Sequence, residues 1–421
     1  MKAGFAEIDI TPPKGIQKIG WMQELSGDLI LDPLYARVAV FDDGNNSAGF
    51  IQLDTLSIRW TQVNDIRERI KKKLHFPSEN IMVSATHNHA GPAVSNLSPH
   101  QIRDEKYIEE LTEKCVKAFG IALSDMEEVR IGTASTFNFE VAHNRRCRMK
   151  DGTVKTQKGS ANPLFLCLEG PMDPEIFILA AKNLKGKIKG ALLNYACHPT
   201  DHGGSNEISA GFPGVVADKM KSIGCPVPLY LNGAYGNVIT VDFEKNKHLS
   251  MEDAGTSLFN SFKECLEKME FSEDSKVSSA KDTLRLNYRN FSEEEIKGKV
   301  FGAQRFRSDE YYEAFINNFI EKAKIKKKQP VEVQVIRIGD TCFAGVPAEY
   351  FVEYQLMIKE KTYPLKSYVI GGANGMVGYV PTKEAFNRGG YETTFGPPSH
   401  MSPEAGDKIA EKIIEIIKGL K

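Results

Sequence analysis

Apolar and polar positions follow two rhythms along this chain, one typical of strands and one typical of helices. Apolar or alternating runs bounded by Gly, Pro, Asp and Asn, such as residues 34–41, 48–53 and 188–195, predict β-strands. Apolar residues spaced three and four positions apart, as in 60–74 and 403–419, predict amphipathic helices. Because both patterns recur from end to end, we expect an α/β protein with a mixed β-sheet core flanked by helices.

The stretch from about residue 244 to 330 differs from the rest because it is long, charged and mostly helical in pattern. A strand-like alternation at 277–288 interrupts it, and few of its residues are suited to chemistry. The core strand pattern resumes at 331–338 and 341–346. We therefore expect residues 1–421 to form one domain with a mainly helical peripheral segment at about 244–330.

Composition excludes several classes of protein. A net charge of -1 gives no global field that would attract nucleic acid or an anionic membrane. No apolar stretch has transmembrane length, and the first ten residues lack the apolar core of a signal peptide. The seven cysteines are scattered without a C-x-x-C pair, as in a reducing compartment. We expect a cytoplasmic protein that acts on a small molecule and has no membrane anchor. It is not expected to bind nucleic acid, and it could form a homo-oligomer.

Two histidines follow the apolar run at 81–85. His87 and His89 lie two positions apart, before Gly91 and Pro92 end the segment. Side chains alternate along a strand, so this spacing near a strand end predicts that both imidazoles face the same side. Neutral imidazole is a common metal ligand, so the pair suggests a metal site. The alternative is a pair of hydrogen-bonded loop histidines.

Four candidate ligands lie at or beyond the ends of other predicted strands or in nearby loops: His198, His202, Glu349 and Tyr379. Asp54 lies at the end of another predicted strand. It is either a turn or helix-cap residue or a hydrogen-bond partner of a metal ligand. Strand ends collect ligands in α/β proteins, so these residues suggest a His/His/carboxylate site with room for water, as catalytic zinc uses. The remaining histidines are expected to be surface or core residues: His75, His100, His143, His248 and His400.

Arg145 belongs to a run of three arginines within residues 145–148. Such a run is typical of a solvated turn, or of a site that holds a carboxylate or an oxyanion through forked hydrogen bonds. The sequence contains no G-x-S-x-G nucleophile elbow, no G-x-G-x-x-G dinucleotide loop and no P-loop. The remaining candidate residues therefore favour chemistry centred on a metal.

Several stretches, in order along the chain, resemble the catalytic domain of the neutral (non-lysosomal) ceramidases and their shorter bacterial relatives. Ser-Ala-Thr-His-Asn-His-Ala-Gly-Pro at 84–92 is similar to the family signature Ser-Ala-Thr-His-Thr-His-Ser-Gly-Pro. The other similar stretches are 4–13 (the opening strand), 196–200 (Ala-Cys-His-Pro-Thr), 346–349 (Val-Pro-Ala-Glu), 378–382 (Gly-Tyr-Val-Pro-Thr), 391–392 and 395–397. The resemblance runs from end to end and implies the fold of that catalytic domain.

The resemblance also implies a ligand set and two further roles. It assigns a zinc ion to His87, His198, Glu349 and Tyr379. It places His89 beside the metal, hydrogen-bonded to the reacting group as a general acid or base. It makes Arg145 an active-site arginine that, with Tyr379, stabilises an oxyanion or binds a substrate carboxylate.

The chain departs from the family at two loops and at its end. The family serine of Gly-Asp-Val-Ser-Pro falls at Ile239, and Thr240 replaces it only after a shift in register. Gly211 stands where relatives often carry aspartate. The ceramidases also continue into an immunoglobulin-like domain, so we expect a smaller, more polar substrate than long-chain ceramide. The expected chemistry is cleavage of an amide, ester or lactone by metal-activated water; the alternative is a non-catalytic metal- or ligand-binding homologue.

Overall fold

The structure, a computed structural model, describes residues 1–21, 23–96, 101–156, 162–241, 249–273, 276–300, 305, 309–396 and 398–420. Within 309–326 the side chains of residues 311, 314, 315, 318 and 322 are not described. Within the described ranges, no helix combines the length and the apolar character that crossing a bilayer requires.

The strands of the described chain range from two to eleven residues. In order they are β1 (Lys2–Asp9), β2 (Ile16–Gln17), β3 (Ser26–Gly27), β4 (Leu29–Ile30), β5 (Tyr35–Asp42), β6 (Ser47–Leu53), β7 (Ile81–Ala85), β8 (Glu127–Phe137), β9 (Ala142–Asn144), β10 (Arg146–Met149), β11 (Val154–Thr156), β12 (Phe165–Leu168), β13 (Glu175–Asn183), β14 (Ile188–Tyr195), β15 (Glu207–Ile208), β16 (Pro228–Asn232), β17 (Val238–Thr240), β18 (Phe271–Ser272), β19 (Val277–Asn287), β20 (Lys328–Ile338), β21 (Thr341–Val346), β22 (Glu349–Tyr350), β23 (Lys366–Gly371) and β24 (Tyr379–Val380).

The helices lie between groups of these strands. In order they are α1 (Trp60–Leu74), α2 (Glu105–Ser124), α3 (Gly211–Ser222), α4 (Met251–Lys268), α5 (Glu293–Ile296), α6 (Asp309–Lys326), α7 (Val352–Thr362), α8 (Lys383–Arg388) and α9 (Ala405–Gly419), with 3₁₀ turns at Ser78–Asn80 and Tyr391–Thr393. Helix α1 begins and ends where the apolar period predicts it.

Two sheets form the core. The larger has the strand order β16-β14-β13-β8-β1-β5-β6-β7, with β18 paired to β8, and the smaller has the order β19-β20-β21-β23. Pairing is parallel for β14 with β16, for β6 with β7 and for β21 with β23, and antiparallel elsewhere in the two sheets. The expected α/β class with mixed sheets is confirmed, and the core contains two such sheets.

Side-chain alternation lets each sheet pack on both of its faces. Phe50 of β6 and Phe177 of β13 meet Phe343 of β21 between the sheets, with ring centroids 5.3 and 6.0 Å apart. Helices α1 and α2 cover one part of the outer face of the large sheet, and α3 and α4 cover another. Helices α7 and α9 cover the outer face of the small sheet. The result is four layers in the order helix, sheet, sheet, helix.

The carboxyl ends of several strands lie side by side. The backbone N–H of Gly233, after β16, donates to the carbonyl of Tyr195 at the end of β14 (2.9 Å). The side-chain Nδ2 of Asn232 donates to the carbonyl of Thr86, after β7 (2.9 Å). The backbone N–H of Ala85 donates to Gly372, after β23. Loops that leave both sheets therefore begin at one edge of the core.

The segment expected to be helical and peripheral contains α4, β18, β19, α5 and α6, and part of it (244–248, 274–275, 301–304 and 306–308) lies outside the described residues. Strand β19 pairs with β20 along eleven positions, so this part of the segment belongs to the small sheet. In α6, Ile316 and Phe319 pack against Tyr288 and Phe395. The extent of the domain stays a prediction.

Candidate metal centre

His87 and His89 lie just beyond β7, which ends at Ala85. His87 has a left-handed backbone conformation with φ of 68°, which is uncommon for a residue other than glycine. The expectation that strand alternation brings the two imidazoles together is therefore wrong in its reason, because the chain has left the strand before His87. Both rings nevertheless reach one place, and separate hydrogen bonds orient them.

Backbone carbonyls orient three imidazole rings. The pairs are His87 Nδ1 with Leu56 O (2.8 Å), His89 Nδ1 with Gly20 O (2.8 Å) and His198 Nδ1 with Tyr235 O (3.2 Å). A carbonyl oxygen only accepts, so each Nδ1 carries the hydrogen. Each Nε2 therefore presents a lone pair, as in histidines that bind metals.

The three Nε2 atoms converge. Those of His87 and His198 lie 3.0 Å apart, and that of His89 lies 3.2 Å from His198. Burial lowers the pKa of His198 and of His89 well below the usual value, and the neighbouring charges lower both further, so these rings are neutral. Lone pairs this close repel each other unless a cation lies between them. The donor set therefore fits a metal ion, and these three residues could hold one.

Glu349 and Tyr379 reach the same place from two short paired strands. Parallel pairing of β22 with β24 puts Glu349 directly opposite Tyr379. Glu349 Oε2 lies 3.5 Å from His87 Nε2 and 3.7 Å from His198 Nε2. Burial raises the pKa of Tyr379 well above its usual range, Arg145 opposes this shift, and Glu349 adds to it. The phenol is therefore protonated without a metal, and the structure brings the expected ligands together.

Arg145 is buried beside these residues, so the interpretation of 145–148 as a solvated turn is wrong for Arg145 and Arg146 and right only for the exposed Arg148. The Cζ atom of Arg145 lies 5.4 Å from the centre of the Tyr379 ring. Its Nε donates to Glu392 (2.7 Å). Burial disfavours the charge, but Tyr379 and Glu392 outweigh burial and raise the pKa of Arg145, which stays a cation. Among the described residues its buried Nη2 has no hydrogen-bond partner.

A wall beside His89 is built from loops distant in sequence. The ring of Trp21 meets the ring of His89 edge-on, with centroids 6.4 Å apart, and is 38% exposed. Gly203 and Gly204 lie close against Trp21, where side chains would collide with the indole. The buried ammonium of Lys18 donates to the carbonyls of residues 202, 205 and 207 and so fixes this loop. Nothing in the sequence pattern marks Lys18, because its three acceptors are backbone atoms.

Two residues that the sequence left open have other partners. The carboxylate of Asp54 accepts from the buried Arg37 (2.8 Å) and from the backbone of Tyr35 (2.9 Å). His202 pairs with Glu207 at 2.5 Å and is partly exposed. Neither is one of the three histidines whose donor atoms converge, His87, His89 and His198. Of the other histidines, His75 caps α1, His143 lies in β9 and His400 packs against aromatic rings, while His100 and His248 lie outside the described residues.

The two loops that depart from the ceramidase pattern lie close to this centre. Ile239 of β17 is buried, and its backbone forms a bridge with His198. Thr240 pairs with Ala142 in the next register position and is also buried. Gly211 has φ of 62°, and the carboxylate of Asp201 lies 3.0 Å from where its Cβ would be. A side chain at position 211 would therefore be strained.

Glu392, like Lys18, is a site residue whose part the sequence did not indicate, although residues 391–392 belong to one of the family-like stretches. Its side chain is fully buried and accepts from both Arg145 and Arg146. One signal is visible afterwards: Glu392 is the only Asp, Glu, Lys or Arg between residues 389 and 403. Glutamate is almost never fully buried without a partner, and here two arginines are its partners.

Comparisons with known proteins give a fold. No protein-family model matches the sequence, and no curated protein matches it. A crystal structure of neutral ceramidase from Pseudomonas aeruginosa matches with a TM-score of 0.75 and 17% identity over 99% of this chain and 74% of that one. A ceramidase structure described as complexed with C2 matches with a TM-score of 0.74 and 16% identity over the same shares. The chain is therefore a structural relative of neutral ceramidase and has its fold.

Proposed function

We propose that this protein is a zinc-dependent hydrolase that cleaves an amide bond, or an ester or lactone, in a small and polar substrate. The observation that carries the proposal is the convergence of three imidazoles on one point, with the Glu349 carboxylate beside it. His87 and His198 are buried and His89 is half-buried, and each ring carries its hydrogen on Nδ1. The ceramidase fold supports the reaction class. The seven free cysteines support a reducing, cytoplasmic setting.

In this proposal the ion is held by His87, His198, Glu349 and Tyr379. Two neutral imidazoles, a carboxylate and a phenol are the nitrogen and oxygen ligands that zinc accepts. A bound zinc ion would lower the pKa of water and polarise a carbonyl oxygen. Tyr379 must lose its proton to become a ligand, and the Arg145 guanidinium favours that loss.

The protein's own groups supply the rest of the chemistry. His89 Nε2 is unprotonated and lies 3.2 Å from His198 Nε2, so it can take a proton from a nucleophile at the centre and return it to a leaving group. The free Nη2 of Arg145 can donate to an oxygen on which negative charge develops. Trp21 and the loop at 202–207 shield one side of the centre from water.

Substitution of Thr240 tests whether a side chain of strand β17 acts as the nucleophile. We expect Thr240→Val to lower kcat by no more than about fivefold, because Val keeps the shape and a buried hydroxyl contributes only about 1 kcal/mol through its hydrogen bond. Steady-state kinetics and mass spectrometry of a quenched reaction check this result. Complete loss of activity, or an acyl adduct on Thr240 in the wild type, would contradict direct attack by water.

Metal content and turnover measured together test the proposed function. We expect about one zinc per chain, in line with one centre of this type, and turnover of small amides, esters or lactones that a chelator abolishes and added zinc restores. The screen compares each substrate with and without chelator and after reconstitution. Absence of bound metal in every preparation, including the reconstituted one, would overturn the assignment.

A second function is favoured by one observation. Ile239, a buried apolar residue, stands at the position of the family serine beside His198. A protein that binds a small ligand at the metal centre without turning it over would show the zinc but no hydrolysis. The same screen separates the two functions, because ligand binding without turnover supports the second.

A further inference from the structure

We propose that Glu392 is a positioning residue that fixes the Arg145 guanidinium so that its Nη2 faces the reacting group. The inference rests on the proposed function, since it gives Arg145 a ligand. The carboxylate of Glu392 does not contact the metal-binding histidines in the structure. It acts through Arg145.

The two carboxylate oxygens of Glu392 accept hydrogen bonds from two different arginines. Oε1 accepts from Arg145 Nε and Oε2 accepts from Arg146 Nη1, each at 2.7 Å. The carboxylate is fully buried, and burial would raise its pKa, but Arg145 and Arg146 together lower it. Glu392 is therefore an anion clamped between two cations. Because Glu392 binds the guanidinium at Nε, it fixes the plane of the group and leaves the two Nη atoms pointing away from Glu392.

Arg146 keeps Glu392 in place from the other side. It also pairs with Glu169 and donates to the carbonyl of Gly389. Gly390, with φ of 110°, lies against the Arg146 guanidinium, where a side chain would collide with it. The network thus contains two arginines and two glutamates in a buried, charge-balanced set. Because Arg146 holds Glu392 in place, Glu392 in turn holds the Arg145 guanidinium in one orientation.

A second carboxylate competes for Arg145. Glu349, a proposed metal ligand, also acts on the Arg145 guanidinium, as does Tyr379. Oε1 of Glu392 accepts the Nε bond, so Glu392 is the carboxylate that holds Arg145 in the structure. Without Glu392 we expect the guanidinium to pair with Glu349 and to turn toward the proposed ligands. Among the described residues the buried Nη2 has no partner, so it is available to the reacting group.

The test is a double-mutant cycle with Arg145→Ala and Glu392→Gln in the zinc-loaded protein. Acetate is the probe, because it is the carboxylate product of an acetamide or acetate ester, and its Kd is measured by calorimetry beside kcat/KM. We expect each single variant to weaken acetate binding and to lower kcat/KM by at least about 100-fold, the effect of a misplaced group. We expect the double variant to be no worse than Arg145→Ala, with zinc content unchanged throughout. Additive losses would overturn the proposal.

Two further variants keep the test sharp. Glu169→Gln removes the other carboxylate of the network, which contacts Arg146 and not Arg145, and should change acetate binding by less than about threefold if Glu392 alone sets Arg145. Glu392→Asp keeps the charge but cannot reach both arginines, so it covers the case in which Glu392→Gln does not fold. A folded Glu392→Asp variant with wild-type acetate affinity would overturn the proposal. Absence of turnover in the wild type defeats only the proposed function, because acetate binding still reports on Arg145.

Discussion

Replacement of His198 by alanine is expected to remove the metal and to lower kcat/KM by more than about 100-fold, since loss of groups that only orient metal ligands already costs 10- to 100-fold. His198 occupies the middle of the centre: its Nε2 lies 3.0 Å from that of His87, 3.2 Å from that of His89 and 3.7 Å from Glu349 Oε2. The carbonyl of Tyr235 holds its ring in this position. Elemental analysis of the purified variant measures the loss.

The matched control is His202→Ala, four residues further along. His202 pairs with Glu207 and lies outside the group of convergent nitrogens, so this variant should keep wild-type zinc content. The variant His89→Ala shows whether His89 is a metal ligand or an acid–base catalyst. If His89 moves protons, the variant keeps zinc and loses turnover; if it is a ligand, zinc is lost as well. A His198→Ala protein that retains both zinc and activity would contradict the proposed centre.

Much of the site could be predicted because its residues follow strands. Apolar runs identify β7, β14 and β21 directly, and the polar residues after them are few. In α/β proteins ligands collect beyond the carboxyl ends of strands. Here β7 and β14 belong to the large sheet and β21 to the small one, and the loops after these strands begin at one edge of the core. The motifs at 84–92 and 346–349 therefore indicated a common location, and the structure brings His87, His198 and Glu349 together.

Local conformation could not be predicted in the same way. The left-handed backbone of His87 is set by the carbonyl of Leu56 and the surrounding loops, which no local pattern encodes. Helix α7 was missed because its buried residues, Val352, Tyr354, Gln355 and Ile358, do not form one apolar stripe among polar neighbours. The packing of two sheets against each other was also missed, because a strand buried on both faces shows no alternation that assigns it to either sheet.

Contacts between distant residues set the limit of sequence reasoning at the site itself. Arg145 and Glu392 are 247 positions apart, and a single sequence contains no signal that pairs them. An arginine-rich run is more often solvated, so composition favoured the wrong alternative for Arg145 and Arg146. Burial decided the question, and burial is a property of the fold. The proposed ligands could be named from the sequence and its family-like motifs, whereas Glu392 and the carbonyls that orient the histidine rings could not.

Arg145→Ala is expected to lower kcat by about 100- to 1000-fold, the usual cost of removing one preorganised donor to a developing oxyanion. The Nη2 of Arg145 is buried and has no partner among the described residues, so it is available as a donor to the developing oxyanion. Zinc content should be unchanged, because the Arg145 guanidinium is not a metal ligand. Steady-state kinetics on the best substrate of the hydrolysis screen, with elemental analysis of the same sample, measures both quantities.

Two variants decide how this result is interpreted. Arg145→Lys keeps the charge that Glu392 requires, so the protein should fold, but an ammonium lacks the fork that reaches both Glu392 and the reacting group, and most of the loss in kcat should remain. Arg148→Ala removes an exposed arginine three residues away in β10 and should leave kcat within about twofold, as expected for a surface substitution. Equal losses in Arg145→Ala and Arg148→Ala would mean that the arginine run acts through its general field. A large loss confined to Arg145 places the effect at the one guanidinium that faces Tyr379 and Glu349.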